Sequence, residues 1–329
     1  MLIFIDSADH YTTNAGFLKK WTSGTNPVGS AGNGRNGTQS IRYVSSSPFY
    51  KTIPSQSTYI VGFALRSSST SGYTVISFQE SSTTHVDVRM VSGGQLQVTR
   101  NGTVLATGTT ALLTNVYYYI EFKANIHSST GSYTLKINEV VELTASGVNT
   151  RNGGSGIINM VLFGGGGGTT VDIDDVYFCD TTGSTNNDFL GDIKIESLTP
   201  TSDSTPLTWA PSTGSTHYNL LDEVPPNDDT DYVTTSGVNF DDVFGFSNLT
   251  TVSGTVLGVQ INTYDRKTDA GGVNILHLMR IGGIVYTGLQ FAQQDTYIYH
   301  SGIIEKNPGT VADWTIADVN NAEFGIRRL

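Results

Sequence analysis

The chain has 329 residues, enough for two domains of roughly 100–200 residues each. Only 14% of residues are charged, while glycine counts 37 and serine plus threonine 76, so the long Glu/Lys/Arg-rich surfaces of helical bundles and coiled coils are excluded and β structure is favoured. The net charge of −11, with no basic cluster, excludes a nucleic-acid-binding face, and no uncharged run has the length and apolarity of a membrane-spanning helix. The apolar start, residues 1–5, lacks a basic flank and meets Asp6 at once, so no signal-peptide core is read there.

In chain order, the first half reads as strands separated by Gly/Ser/Asn turns: 58–65, 73–78, 86–91, 95–100, 103–107, 116–122, 132–137, 157–163 and 171–178. Asn101-Gly102 between two of these runs is a hairpin signal, because both turn residues must take positive φ. The lone Cys179 reads as a buried strand thiol, and Gly164–Gly168, with no Gly-Lys-Ser/Thr after it, as a connection between strands. Residues 181–189 form a polar linker at which the charge changes. Residues 1–182 carry 11 Lys/Arg against 11 Asp/Glu, and residues 183–329 carry 7 against 18. The expected domains are therefore 1–182 and 183–329. In the second, strands are expected at 192–196, 255–261, 273–281, 284–287 after a Gly282-Gly283 turn, and 297–304. One or two helical turns follow at 315–322. The fold class expected is all-β, two β-sandwich or jelly-roll-like domains in tandem.

Residues 117–140, Tyr-Tyr-Tyr-Ile-Glu-Phe-Lys followed by Gly-Ser-Tyr-Thr-Leu-Lys-Ile-Asn-Glu-Val, resemble the central strands of concanavalin A-like lectin/glucanase jelly rolls. Ile173-Asp-Asp-Val-Tyr-Phe and Phe189-Leu-Gly-Asp-Ile-Lys-Ile resemble an arrangement in tailed-bacteriophage virion proteins, where a lectin-like domain leads into a second β domain. Trp209-Ala-Pro211, Leu221-Asp-Glu-Val-Pro-Pro226, Asp231-Tyr-Val233 and the segment 314–325 match that second domain. Phe4-Ile-Asp-Ser-Ala-Asp-His-Tyr11 with Lys20-Trp21 resembles the start of such virion proteins. The resemblance implies a lectin-like first domain and a non-enzymatic structural role in the virion, as a capsid decoration or a tail or fibre component. The protein would be made in the host cytoplasm and act through contacts with other virion proteins and with copies of itself, in a ring or trimer.

The alternative functions are a host glycan-binding adhesin of the tail and, behind it, a glycan-degrading enzyme. Glycoside hydrolysis needs two carboxyls at a set separation. The Glu-x-Asp-x-x-Glu strand of the laminarinase-like members is missing, Glu139 and Glu142 fall on opposite strand faces, and Asp172 with Asp174 is the one pair of matching parity. No Gly-x-Ser-x-Gly or His-Glu-x-x-His occurs, and His10, His85, His127, His217, His277 and His300 have no ligand spacing. No catalytic residue is assigned. For glycan binding, the aromatic residues near loop-like segments are Trp21, Tyr50, Trp209 and Tyr218. For metal, Asp228, Asp229 and Asp231 offer hard oxygens that would suit calcium, without the Gly and Glu of an EF-hand loop.

Overall fold

Alternation of apolar and polar side chains builds the first half. In the strand Thr58–Ser67, Tyr59, Val61, Phe63 and Leu65 enter one hydrophobic core, and in Gly131–Ile137 Tyr133, Leu135 and Ile137 do the same. The computed structural model describes residues 1–24, 27–70 and 72–329. The chain divides into two compact units, Met1–Ile195 and Glu196–Leu329.

The first unit is a jelly-roll sandwich of two antiparallel sheets. One sheet has the order Val140–Val148, Gly131–Ile137, Tyr118–Asn125, Thr58–Ser67, Thr170–Asp180, Gln39–Val44, Val28–Ala31, with Leu2–Asp6 also on Thr170–Asp180. The other runs Thr103–Thr107, Leu96–Arg100, Thr83–Met90, Tyr73–Glu80, Ile158–Phe163, Phe49–Gln56, Ser23–Gly24. Strands distant in sequence are thus neighbours in both sheets, which is the layout the lectin-like resemblance implies. Between the sheets lies an aromatic cluster in which Trp21 stacks on Phe17 and meets Phe4, Phe49, Phe163 and Phe178 edge-on. Asn101 and Gly102 take φ of 45° and 78° at the expected hairpin. The glycine run joins Ile158–Phe163 to Thr170–Asp180. At Gly164 φ is 88°, and a Cβ there would stand 3.0 Å from the Tyr43 ring, so conformation and space both demand glycine.

The second unit has a five-stranded antiparallel sheet, Pro200–Leu207, Asp241–Phe246, Glu323–Arg328, Asn274–Ile281, Ile284–Ala292, and a two-stranded ribbon of Val259–Asp265 with Ile298–Ile304. Trp314, Met279, Phe324 and Ile261 form its core with Val319 of the helix Ile316–Asn321. That helix starts where expected. The Thr315 hydroxyl accepts the Asp318 N–H at 3.0 Å and the Asp318 carboxylate accepts the Thr315 N–H at 2.9 Å.

Two expectations are corrected. Residues 192–196 form no strand, because the N–H groups around them go to buried carboxylates: Gly191 donates to Glu121 at 2.9 Å and Ile195 to Asp175 at 2.7 Å. For the same reason the division between units falls after Ile195, later than the polar linker at 181–189. Residues 188–192 are fastened to the first unit by Lys123–Asp188 at 3.0 Å, a Leu190 N–H bond to the Tyr177 hydroxyl at 3.1 Å, and the Arg35–Asp192 ion pair.

Candidate functional site

The two outward faces of the sandwich differ. On the first sheet, alternate residues point away from the core and are nonetheless buried: Glu121, Asp172, Asp174, Asp175 and Tyr177 are all under 5% exposed. Residues 188–195 lie over part of this face, with Phe189 4.1 Å from the Lys136 ammonium. The Asp172–Asp174 pair sits here. Asp172 is held by Ser40, Arg42 and Arg66, and Asp174 accepts the N–H groups of Arg35 and Asp175, each at 2.8 Å. All four carboxylate oxygens are therefore occupied by the chain itself. Burial, then the neighbouring Asp175 charge, pushes the Asp174 carboxyl up; burial likewise raises Asp175.

The outward face of the second sheet is exposed at Thr52 and half-buried at Tyr50, Met160 and Leu162, while Ser77, Gln79, Asp87 and Thr99 farther across it are buried. Because Phe49 enters the core, Tyr50 and Thr52 face out. Cross-strand register then assembles two rows. The first is Tyr50, Leu162, Ser77, Asp87 and Thr99; the second is Thr52, Met160, Gln79 and Thr84. Loop residues Ser81 and Ser82 and the strand residue Asn159 complete a shallow, open cleft of about 660 Å³ beside Tyr50, Met160, Leu162 and Gln79. The polar groups are oriented within the cleft. Gln79 donates to Thr84 Oγ1 at 2.9 Å, leaving its carbonyl oxygen, and Asn159 accepts the Ser81 N–H at 2.7 Å, leaving its amide NH₂. The Tyr50 hydroxyl bonds to no side chain or backbone group among the described residues. An apolar floor, one aromatic ring and unspent amide and hydroxyl groups form a surface suited to a polyol with apolar ring faces.

The sequence-predicted residues fare differently. Tyr50 lines this cleft. Trp21 is corrected: it is 2% exposed, and its Nε1–H donates to Asp6 Oδ2 at 2.6 Å, so its ring and its polar atom are both spent inside the core. Trp209 and Tyr218 belong to the second unit. Trp209 is half-buried with Nε1–H bonded to the Phe240 carbonyl at 2.9 Å, and the Tyr218 N–H donates to Asp203 at 2.7 Å from a single 3-10 turn. The three aspartates considered for calcium are used otherwise. Asp228 accepts the Tyr264 hydroxyl at 2.7 Å, Asp229 accepts Arg266 and Tyr297 at 2.8 Å each, and Asp231 accepts the Asn227 amide at 2.7 Å. Tyr264 and Tyr297 stack with centroids 5.0 Å apart, so the acidic turn is stitched to the ribbon. Among the described residues, no group of three or more His, Cys, Asp or Glu is arranged to hold a metal.

Gln79, Asn159, Met160 and Leu162 were not singled out from sequence. The signal was present in 157–163, apolar on both strand faces, which implies a sheet with a non-aqueous neighbour on its outer side.

No family model and no curated protein matches the chain. Among solved structures, a sialidase is similar at TM-score 0.39 and 10% identity, over 54% of this chain and 19% of that one. The chain thus spans less than a fifth of that sialidase. A cellulose-induced protein is similar at TM-score 0.40 and 19% identity over 49% and 92%, and a carbohydrate-binding module from Bacillus subtilis at TM-score 0.32 and 11% identity over 47% and 92%. Similarity this remote carries no argument about ligand or activity.

Proposed function

We propose that the first unit binds glycan chains, without cleaving them, in the cleft on the outward face of its second sheet. The observation that carries this reading is the placement of Tyr50 in register with Leu162, beside Met160 and the unspent amide groups of Gln79 and Asn159. Sugar rings offer apolar C–H faces to such a floor and hydroxyls to such amides. The test is glycan-array screening of the full chain, followed by calorimetry with the strongest ligand. Tyr50→Ala is expected to weaken binding by roughly tenfold or more, about 1.4 kcal/mol, with stability unchanged. Unaltered affinity would place the binding elsewhere.

The virion role implied by the sequence resemblance is the second reading, and it is compatible with the first. It is favoured by Tyr232, Val238 and Phe240 of the second unit, 40%, 59% and 44% exposed, which present apolar surface for a protein contact. Immunogold labelling of particles from a source lysate tests it: label on the head fits a decoration protein, label on the tail fits an adhesin, and no label removes the role.

A further inference from the structure

We infer that the cleft selects uncharged glycans and rejects chains bearing carboxylates or sulfates; this rests on the glycan-binding reading and names its ligand class. The side chains that line the cleft are hydroxyl, amide, thioether, aliphatic or phenolic, and none is charged. A sugar carboxylate entering it would exchange water for a surface with no cation to pair with, which costs binding energy, whereas hydroxyls find donors and acceptors in Gln79, Asn159 and Ser82.

The charged side chains of the neighbouring strands lie outside the lining. Glu80 lies between two lining residues, Gln79 and Ser81. Ser155 holds its carboxyl ionised, to about 2, through hydroxyl and N–H bonds. Asp87 lies in the Tyr50–Leu162–Ser77 row. Lys51, between Tyr50 and Thr52, points to the opposite face, its ammonium 5.0 Å from the Phe4 ring and bonded to the Lys20 carbonyl. Arg89, on the same strand as Asp87, lies outside the lining, and buried His85 contacts Glu80 at 3.3 Å. An anionic chain therefore finds no cation among the side chains that line the cleft.

The experiment titrates the full chain with neutral gluco-, galacto- and arabino-oligosaccharides and with oligouronates and sulfated oligosaccharides of matched length. At least one neutral series is expected to bind roughly tenfold or more tighter than every acidic one. Ser82→Lys, at an exposed position, is expected to raise affinity for the acidic series relative to the neutral one by roughly tenfold or more, and no relative gain would overturn the inference. Acidic chains binding as well as neutral ones would overturn the inference and leave the glycan-binding reading standing. Binding of neither class would overturn that reading, and the inference with it. Neutral binding that survives Tyr50→Ala would show that the selectivity belongs to another surface and overturn the assignment to this cleft.

Discussion

Removing the charge of Asp6 tests how the first unit is held together. Asp6 and Lys20 are an ion pair with Oδ1–Nζ at 3.4 Å and side chains 0% and 2% exposed. Asp6 Oδ2 also accepts the Tyr11 hydroxyl and the Trp21 indole N–H, each at 2.6 Å, and Oδ1 accepts the Ala8 N–H at 2.9 Å. Asp6→Asn keeps the shape, leaves Lys20 without a counter-charge among aromatic rings, and turns an NH₂ toward groups that donate. Breaking a buried pair from one side costs about 3–5 kcal/mol, so Asp6→Asn is expected to lose about 4 kcal/mol. Lys20→Met, which leaves the carboxylate with three donors, is expected to lose less, and the double variant well under the sum. Urea unfolding of the full chain, with hydrogen exchange resolving the first-unit amides, measures all three. A loss below about 1 kcal/mol for Asp6→Asn, or strict additivity in the cycle, would refute the argument. Acid gives a second readout. Burial acts to raise the Asp6 pKa, but Lys20, His10 and Tyr11 outweigh it and hold the carboxyl below its usual 3.8. The stability it contributes is therefore present above 3.8 and is lost as pH falls through the lowered folded value.

Asp174 and Asp175 have the opposite sign. Burial first, and for Asp174 the second carboxylate next, raises both, so the stability linked to them is full below the ordinary 3.8 and declines as pH rises through the raised folded values, toward about 8. Asp175→Asn keeps an acceptor for the Ile195 N–H and removes one charge. It should flatten the decline in melting temperature above pH 3.8, and an unchanged slope would contradict the assignment. Gly62→Ala would set a Cβ 2.0 Å from Tyr177 Cε1; a loss of about 1–3 kcal/mol is expected by denaturant titration, and a neutral result would mean the Tyr177 ring is free to move. Calcium is expected to leave the melting temperature unchanged, since Asp228, Asp229 and Asp231 accept hydrogen bonds from the chain. A rise that grows with calcium concentration would restore them as ligands.

Strands were legible where β-branched and aromatic residues concentrate. The expected 103–107 is the observed Thr103–Thr107, and 132–137 lies within Gly131–Ile137. Gln39–Val44, Phe49–Gln56 and Pro200–Leu207 were missed because Ser, Gln, Lys and Pro dilute the pattern; their pairing is set by neighbours far along the chain, such as Thr170–Asp180 for Gln39–Val44. Residues 192–196 look like a strand locally, and their partners are carboxylates rather than a ladder. Tyr50 was legible as an aromatic near a loop. Trp21 carried the same local signal and lies in the core, because aromatic identity does not encode which sheet face a residue meets. Gln79, Asn159 and Leu162 become neighbours only through strand order.

The covering of the first sheet by residues 188–195 shapes how this protein can change. A substitution on that face meets a buried carboxylate, its donors or the covering chain, so several positions must alter together. The exposed rim of the second sheet carries less of this dependency. Ser55 and Ser82 are exposed there and can be exchanged singly, so new ligand preferences are reachable one residue at a time on an unchanged foundation.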